Sequence, residues 1–415
     1  MIPPPPPLPV EDLPAGHQLH VGRYVSTVLP DFDFETYSEA GYVWAQGINK
    51  WTALPGASQG KKGLSVVGAM VYARHPTAEV LCLAYNLKDG RGRRRWRPGE
   101  PWPVDLYAHV AMGKPLAAWN VGFEWKFWEF VMVPHHGAPP IHLEQLYCDM
   151  AKARAYALPP SLAEASAVLG LPGKDKDGKR LIEKLTVPRN PTKANPRRRY
   201  TREDEPADFA RFDEYNEQDI VAEAQAAAQI PDLTPDEREY WLVDQAINRR
   251  GIAVDVEGLH ACIAIIEAAH AQYNAELYQL TGGTVARASE IQKLQGWLGA
   301  HGVHMASLDD DAVTEALARF PPLPPIPSRA LQIRAAVGSA SVKKVFAMRN
   351  QLSPDGRLHD LYVFHGARTG RPTGYGPQPT NLPNSAGVYV YRCDDCSHHF
   401  STHRTACPWC GSSVE

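Results

Sequence analysis

Phe32-Asp33-Phe34-Glu35, at the end of a segment Tyr24–Glu35 that reads as one strand, sets two phenylalanines against two carboxylates in alternation. Side chains alternate faces along a β-strand, so Phe32 and Phe34 enter a core while Asp33 and Glu35 project together. Two carboxylates fixed on one face of a rigid strand suit divalent cations, which prefer oxygen ligands. Taken alone, such a pair is more often a solvated face. Its meaning depends on what the rest of the chain brings to it.

Outward from this strand the pattern is α/β. Leu64–Ala73 and Glu79–Tyr85 read as strands of a hairpin around His75-Pro76, and Pro115–Trp119 as a shorter strand before a helical Phe123–Val131. Ser161-Leu162-Ala163-Glu164 reads as a capping box opening a helix, Asn190–Arg202 as a loop, and Asp208–Ala228 as a long helix. Thr234-Pro235-Asp236-Glu237 combines an N-cap, a Pro at the first helical position and a Glu at the third. From there to Asn350 the pattern is helical, interrupted at Arg250-Gly251, at Gly282-Gly283 and by the stiff Pro321–Pro327 segment. A composition shift near residue 232 therefore separates an α/β domain from a helical one. Pro3–Pro7 favours polyproline II, which buries nothing, so residues 1–22 are expected to be a disordered tail.

The chain has 415 residues, 44% of them hydrophobic and 21% charged, with a formal charge of −3. That length suits two or three domains at about 100–200 residues each. Global charge does not advertise nucleic-acid binding, but Arg91–Arg97 and Arg197-Arg198-Arg199 are dense basic runs, either solvated loops or phosphate contacts. No apolar run reaches the roughly 18–20 residues of a membrane span, and the N-terminus lacks a signal-peptide pattern, so a cytoplasmic location is expected. Cys82, Cys148 and Cys262 are scattered and read as small buried hydrophobes, while four more cysteines cluster near the C-terminus.

Two further elements join the acidic strand. In Trp119-Asn120-Val121-Gly122-Phe123-Glu124 a strand runs through a Gly turn into a helix whose first turn carries Glu124. In Tyr215-Asn216-Glu217-Gln218-Asp219 the tyrosine and the last aspartate are i and i+4 on the long helix and share a face. Each is weak alone. Together, in this order and about ninety residues apart, they resemble the exonuclease motifs of the DEDD superfamily, in the subclass with a tyrosine in the last motif. The resemblance implies that Asp33, Glu35, Glu124 and Asp219 hold two Mg²⁺ or Mn²⁺ ions. One ion would lower the pKa of the attacking water and the other would stabilise the departing 3′-oxygen, with Tyr215 orienting the water. The family usually has Asp where this chain has Glu124, although phage polymerases of this group often show Phe-Glu there. Tyr147-Cys148-Asp149 and the Ser161–Leu171 helix followed by Lys174-Asp175 also look like this phage group. Trp119, Phe123 and Trp125 either stack on unpaired bases or pack in the core.

Downstream, Arg249-Arg250-Gly251-Ile252-Ala253-Val254-Asp255 resembles the segment that opens the thumb of family A, DNA polymerase I-like, enzymes. Lys343 and Lys344 look like thumb residues that grip backbone phosphate, although a solvated helix face would look the same. Gly366-Ala367-Arg368-Thr369-Gly370-Arg371, with Gln378 and Asn381-Leu382-Pro383, resembles the entrance to the polymerase palm, where Arg371 would reach the minor groove near the primer end. Thr380 stands where the family commonly has Gln.

Cys393, Cys396, Cys407 and Cys410 form two Cys-x-x-Cys knuckles, a spacing that suits one tetrahedral Zn²⁺ in a closed structural site, with His398, His399 and His403 as lesser alternatives. The expected organisation is a Pro-rich tail (1–22), a ribonuclease H-like α/β exonuclease domain (23–232), a helical thumb (233–360), the start of a palm (361–388) and a small zinc ribbon (389–415). By the resemblance, the chain is the N-terminal part of a phage-type family A DNA polymerase that proofreads 3′ ends in replication. Primer-template DNA and single-stranded 3′ ends would be its partners, in a bacterial host's cytoplasm if phage-encoded. In the family the palm aspartates and fingers follow this point, so a second polypeptide is expected to supply them. The competing readings are a free-standing 3′→5′ exonuclease, against which the palm-entry motif argues, and a non-catalytic DNA clamp with a decayed exonuclease site.

Overall fold

The computed structural model describes residues 9–54, 61–172, 177–338, 340–381, 391–397, 399–400, 405–407 and 409–413. It divides into two compact units, residues 1–377 and 378–415.

In the first unit a five-stranded mixed sheet has Asp31–Tyr37 at its centre. Glu79–Asn86 runs antiparallel along one side of it, followed outward by antiparallel Arg94–Trp96; Leu116–Ala118 and then Leu146–Cys148 lie parallel on the other. The expected alternation holds: Phe32 and Phe34 join the largest core, with Leu83, Trp128 and Met132. A register shift follows Glu35, which pairs with Cys82 while Thr36 pairs with Val80. The extra residue, Leu81, is thereby turned away from Leu83 and into a second core with Tyr37, Phe209, Phe212 and Tyr215. The long helix Pro206–Ala228 closes that face of the sheet.

Several sequence expectations need correction. Leu64–Ala73 is a helix, interrupted at Gly68 (φ 76°), with Val66, Val67, Met70 and Ala73 buried. A short apolar run rich in β-branched residues fits a strand and a helical face alike, and here the spacing of the buried positions is helical. The tail is shorter than 1–22: Gln18–Val21 pairs with Tyr24–Thr27, and Asn86 Nδ2 donates to the Glu11 carbonyl at 3.0 Å. Tyr24–Glu35 is not one strand, because the chain leaves Tyr24–Thr27 before Pro30 and enters the five-stranded sheet only at Asp31. Pro3–Pro7 lies outside the described residues. Ser161 does precede the helix Leu162–Val168, but its side chain makes no cap hydrogen bond. Thr234, by contrast, accepts from the Glu237 amide at 3.3 Å.

The boundary near residue 232 marks the change of composition, yet the helix after it does not leave the first core. Trp241, on the helix Pro235–Arg250, is 2% exposed in that core, and Phe364 joins it there. A separate helical core gathers Leu277, Leu294, Leu298, Val313, Leu331 and Ile333. Leu361–Phe364, at the expected start of a palm, packs against the rest of the first unit. Leu361 and Phe364 are buried, and Tyr362–Val363 pairs with Thr373–Gly374.

Gly251 ends the Pro235–Arg250 helix at φ 67°, where a Cβ would lie 2.8 Å from the Leu358 carbonyl oxygen. That oxygen sits in the Ile252–Ala253/Arg357–Leu358 pairing and cannot move away cheaply. Gly251→Ala is therefore expected to destabilise the first unit by about 1–3 kcal/mol, read as a lower urea midpoint.

Among the described residues no helix is long and apolar enough to cross a membrane. In the second unit Tyr391–Arg392 pairs with His399–Phe400, and Ala406 bridges to Ser413 around the cysteines.

Candidate metal and nucleic-acid sites

The strand–helix sandwich brings the predicted carboxylates together. Asp33 and Glu35 face the long helix, and the ligand oxygens of Asp33, Glu35 and Asp219 all lie within 4.8 Å of one another. Two oxygens bound to one hard cation at about 2.0–2.6 Å are at most about 4–5 Å apart, so these three side chains fit a divalent ion. Tyr215, one turn before Asp219, is 4% exposed and stacks on Phe212 with ring planes 5° apart. Burial, then the Asp219 carboxylate that its hydroxyl hydrogen-bonds, push its pKa above the ordinary tyrosine value.

Glu124 stands beside this trio rather than within it. Its Oε2 accepts from the buried Phe34 amide at 3.0 Å. Burial, and next the neighbouring Asp33, hold its pKa well above the usual carboxylate range. A side chain one methylene longer than Asp is thus already engaged with the strand that carries the other two acids.

Asn216 lies in the same motif, between Tyr215 and Asp219. It is wholly buried, and its Nδ2 donates to Asp33 Oδ2 at 2.6 Å and to the Asp33 carbonyl at 3.3 Å. It fixes the carboxylate from the helix that also carries Asp219. The signal lay in its helical phase, one residue after Tyr215 and three before Asp219. Asn216→Ala is expected to weaken Mn²⁺ binding about 10–100-fold, the usual scale for losing an outer hydrogen bond to a metal ligand. Titration calorimetry measures it, and unchanged affinity in a folded variant would remove Asn216 from the site.

In the second unit the four predicted thiols cluster within 4.8 Å, with Cys393 and Cys410 Sγ 3.6 Å apart and Cys396 and Cys407 Sγ also 3.6 Å apart. Those separations are too long for a disulfide at about 2.05 Å. They match the tetrahedral edge of about 3.8 Å implied by Zn–S bonds of about 2.3 Å. Hydrogen bonds from the Ser412 side chain and backbone lower the Cys410 thiol pKa to about 6, toward the thiolate form a metal requires. His398 and His403 lie outside the described residues.

Over 329 residues, 77% of its length, the chain is 32% identical to the DNA polymerase of Bacillus phage SP02. It spans about half of that phage DNA polymerase, 49% of its length. No family model matches the chain. Among solved structures, the polymerase domain of Pol1 from M. smegmatis, in complex with DNA primer-template and dNTP, is similar over 75% of this chain and 51% of that one. The identity there is 16% and the TM-score 0.42. Neither similarity supports a second polypeptide.

The structure also places the remaining predicted residues. Lys343 is exposed and Lys344 half-buried on the helix Ala340–Gln351. Arg368 and Arg371 are exposed on the turn between Tyr362–Val363 and Thr373–Gly374, closed by the Ala367 amide donating to the Arg371 carbonyl at 3.0 Å. In the second unit Asn381 Nδ2 donates to Gln378 Oε1 at 3.0 Å. Leu382-Pro383 and Lys174-Asp175 lie outside the described residues. Trp119 and Trp125 are core residues; Trp119 donates to the Pro160 carbonyl and Trp125 lies under Arg249. Phe123 lines a cleft of about 820 Å³ that also touches Glu35. Cys82 and Cys148 are buried as expected, whereas Cys262 is exposed.

Both basic runs are largely neutralised. Arg94, Arg95 and Arg97 are neutralised by Asp89, Asp105, Glu217, Glu100 and Asp213. In the second run Arg197 and Arg199 are paired with acids, and Arg198 lies over the Trp44 ring at 3.8 Å.

Proposed function

We propose that this chain is a segment of a family A-like DNA polymerase and acts as a 3′→5′ exonuclease that trims mispaired primer ends. Convergence of Asp33, Glu35 and Asp219 from one strand and one helix is the observation that carries the reading. The mixed sheet, with an antiparallel arm on one side of its acidic central strand and a parallel arm on the other, supports a ribonuclease H-like domain around it. Asp33, Glu35 and Asp219, with Glu124 beside them, would hold two Mg²⁺ or Mn²⁺ ions. Bound there, the ions supply charge neutralisation at the scissile phosphate and activation of the attacking water. Asn216 holds Asp33 in place. The Tyr215 hydroxyl, anchored by Asp219, is set to orient the water.

The helical core beyond residue 255 would be the thumb, with Lys343 and Lys344 against backbone phosphate, and the turn bearing Arg368 and Arg371, followed by Gln378 and Asn381, would begin the palm. These groups would grip primer-template DNA largely without reading its sequence. The four thiols would hold a structural Zn²⁺. Metal occupancy tests the central assignment apart from turnover. Electron paramagnetic resonance with Mn²⁺ is expected to count two ions per wild-type chain and a coupled pair at saturation. A chain that takes up no Mn²⁺ at these carboxylates would leave the nuclease reading without its chemistry.

A further inference from the structure

We infer that the Tyr42–Ala45/Lys50–Ala53 hairpin and the Arg189–Tyr200 loop together form a docking surface for single-stranded DNA, outside the carboxylate centre. The hairpin follows the acidic central strand after only four intervening residues, Ser38–Gly41. Trp44 and Trp51 pair across it with ring centroids 5.3 Å apart, and Tyr42 meets Trp51 at 6.4 Å. The loop is fastened to this hairpin, since the Trp51 amide donates to Asn190 Oδ1 at 2.8 Å. It then delivers Arg198 over Trp44, while Arg189 lies over Tyr200 at 4.4 Å.

Charge distinguishes this surface from the Arg94–Arg97 run. Among the described residues Lys50, Lys193 and Arg198 are exposed and make no ion pair, unlike the neutralised Arg94–Arg97 run. Aromatic faces interleaved with unpaired cations suit a strand whose bases can stack and whose phosphates need neutralising. A duplex hides its base faces, so the match is to a single strand. Continuity points the same way: Tyr42, at the base of the hairpin, lines the cleft that also contains Phe34 and Glu35. A strand lying over Trp44 and Arg198 would thus pass along Tyr42 toward the carboxylates. Only the identity of the strand, one being fed to a nuclease, rests on the exonuclease reading; binding is a separate property.

Fluorescence anisotropy of labelled dT16 and dT4 in EDTA, with the whole chain, tests the inference without turnover. Wild type is expected to bind dT16 well above dT4. The Trp44→Ala/Arg198→Ala double variant should lose about tenfold in dT16 affinity, on the scale of one lost stacked base plus one phosphate contact. Because Trp44 packs within its hairpin, Lys193→Glu/Arg198→Glu provides a second variant confined to exposed loop cations, and it should show the same loss. Unchanged dT16 affinity in both folded pairs, or equal loss for dT4 and dT16, would overturn the proposal. Normal dT16 docking with no hydrolysis in Mg²⁺ would sink the exonuclease reading and leave this surface standing. Hydrolysis with dT16 affinity unaltered in the variants would do the reverse.

Discussion

Asp33→Ala is expected to lower single-strand hydrolysis at least about a thousandfold while the protein stays folded. A thousandfold loss corresponds to about 4 kcal/mol of transition-state stabilisation. Asp33 sits within 4.8 Å of Glu35 and Asp219, so its removal takes one of three convergent oxygens from the ion site and leaves Asn216 without its carboxylate partner. The fold should tolerate the change. Asp33 is half-buried at the sheet surface, and the packing of its strand comes from Phe32 and Phe34, which are 0% and 4% exposed. Single-turnover cleavage of 3′-labelled oligonucleotide, alongside thermal melting, reads both properties. Near-normal cleavage by a folded Asp33→Ala protein would show that the carboxylates do not hold the working ions.

Loss of the second metal has a different signature. Zinc bound by four thiolates contributes on the order of 10 kcal/mol of folding free energy to a small domain, which is commonly unfolded without it. Among its described residues the second unit has two short strand pairings around Cys393 and Cys407, with little apolar core of its own. Cys407→Ser/Cys410→Ser is therefore expected to abolish zinc retention, measured by atomic absorption, and to make the segment from about residue 391 onward protease-sensitive. Hydrolysis of single strands should persist, because Asp33, Glu35, Glu124 and Asp219 all belong to the first unit. A parallel loss of nuclease activity would give the zinc unit a role in supporting that site.

What could be read from the sequence was whatever local chemistry dictates. Alternation along Phe32–Glu35 gave the two faces of the central strand, and the i, i+4 spacing gave Tyr215 and Asp219 a common side. The paired knuckles gave the thiol cluster. Long-range packing was less legible. Leu64–Ala73 is apolar enough to be buried as either strand or helix, and its buried positions are set by the neighbouring helices rather than by local preference. Trp241 follows a clear helix start, yet nothing local says that it returns to the core of the preceding domain. Glu124 was found from its place on a helix start, but its hydrogen bond to the Phe34 amide depends on where that strand lies. Asn216 was visible only as the neighbour of Tyr215, since its purpose exists once Asp33 is brought 2.6 Å away.

The most direct measurement is the fate of a 5′-labelled single-stranded oligonucleotide incubated with the wild-type chain and Mg²⁺. The account predicts a ladder of products shortened stepwise from the 3′ end, arrested by EDTA and absent with Asp33→Ala. Full-length oligonucleotide after prolonged incubation with folded, Mg²⁺-loaded protein, or a label released at once from the 5′ end, would contradict it.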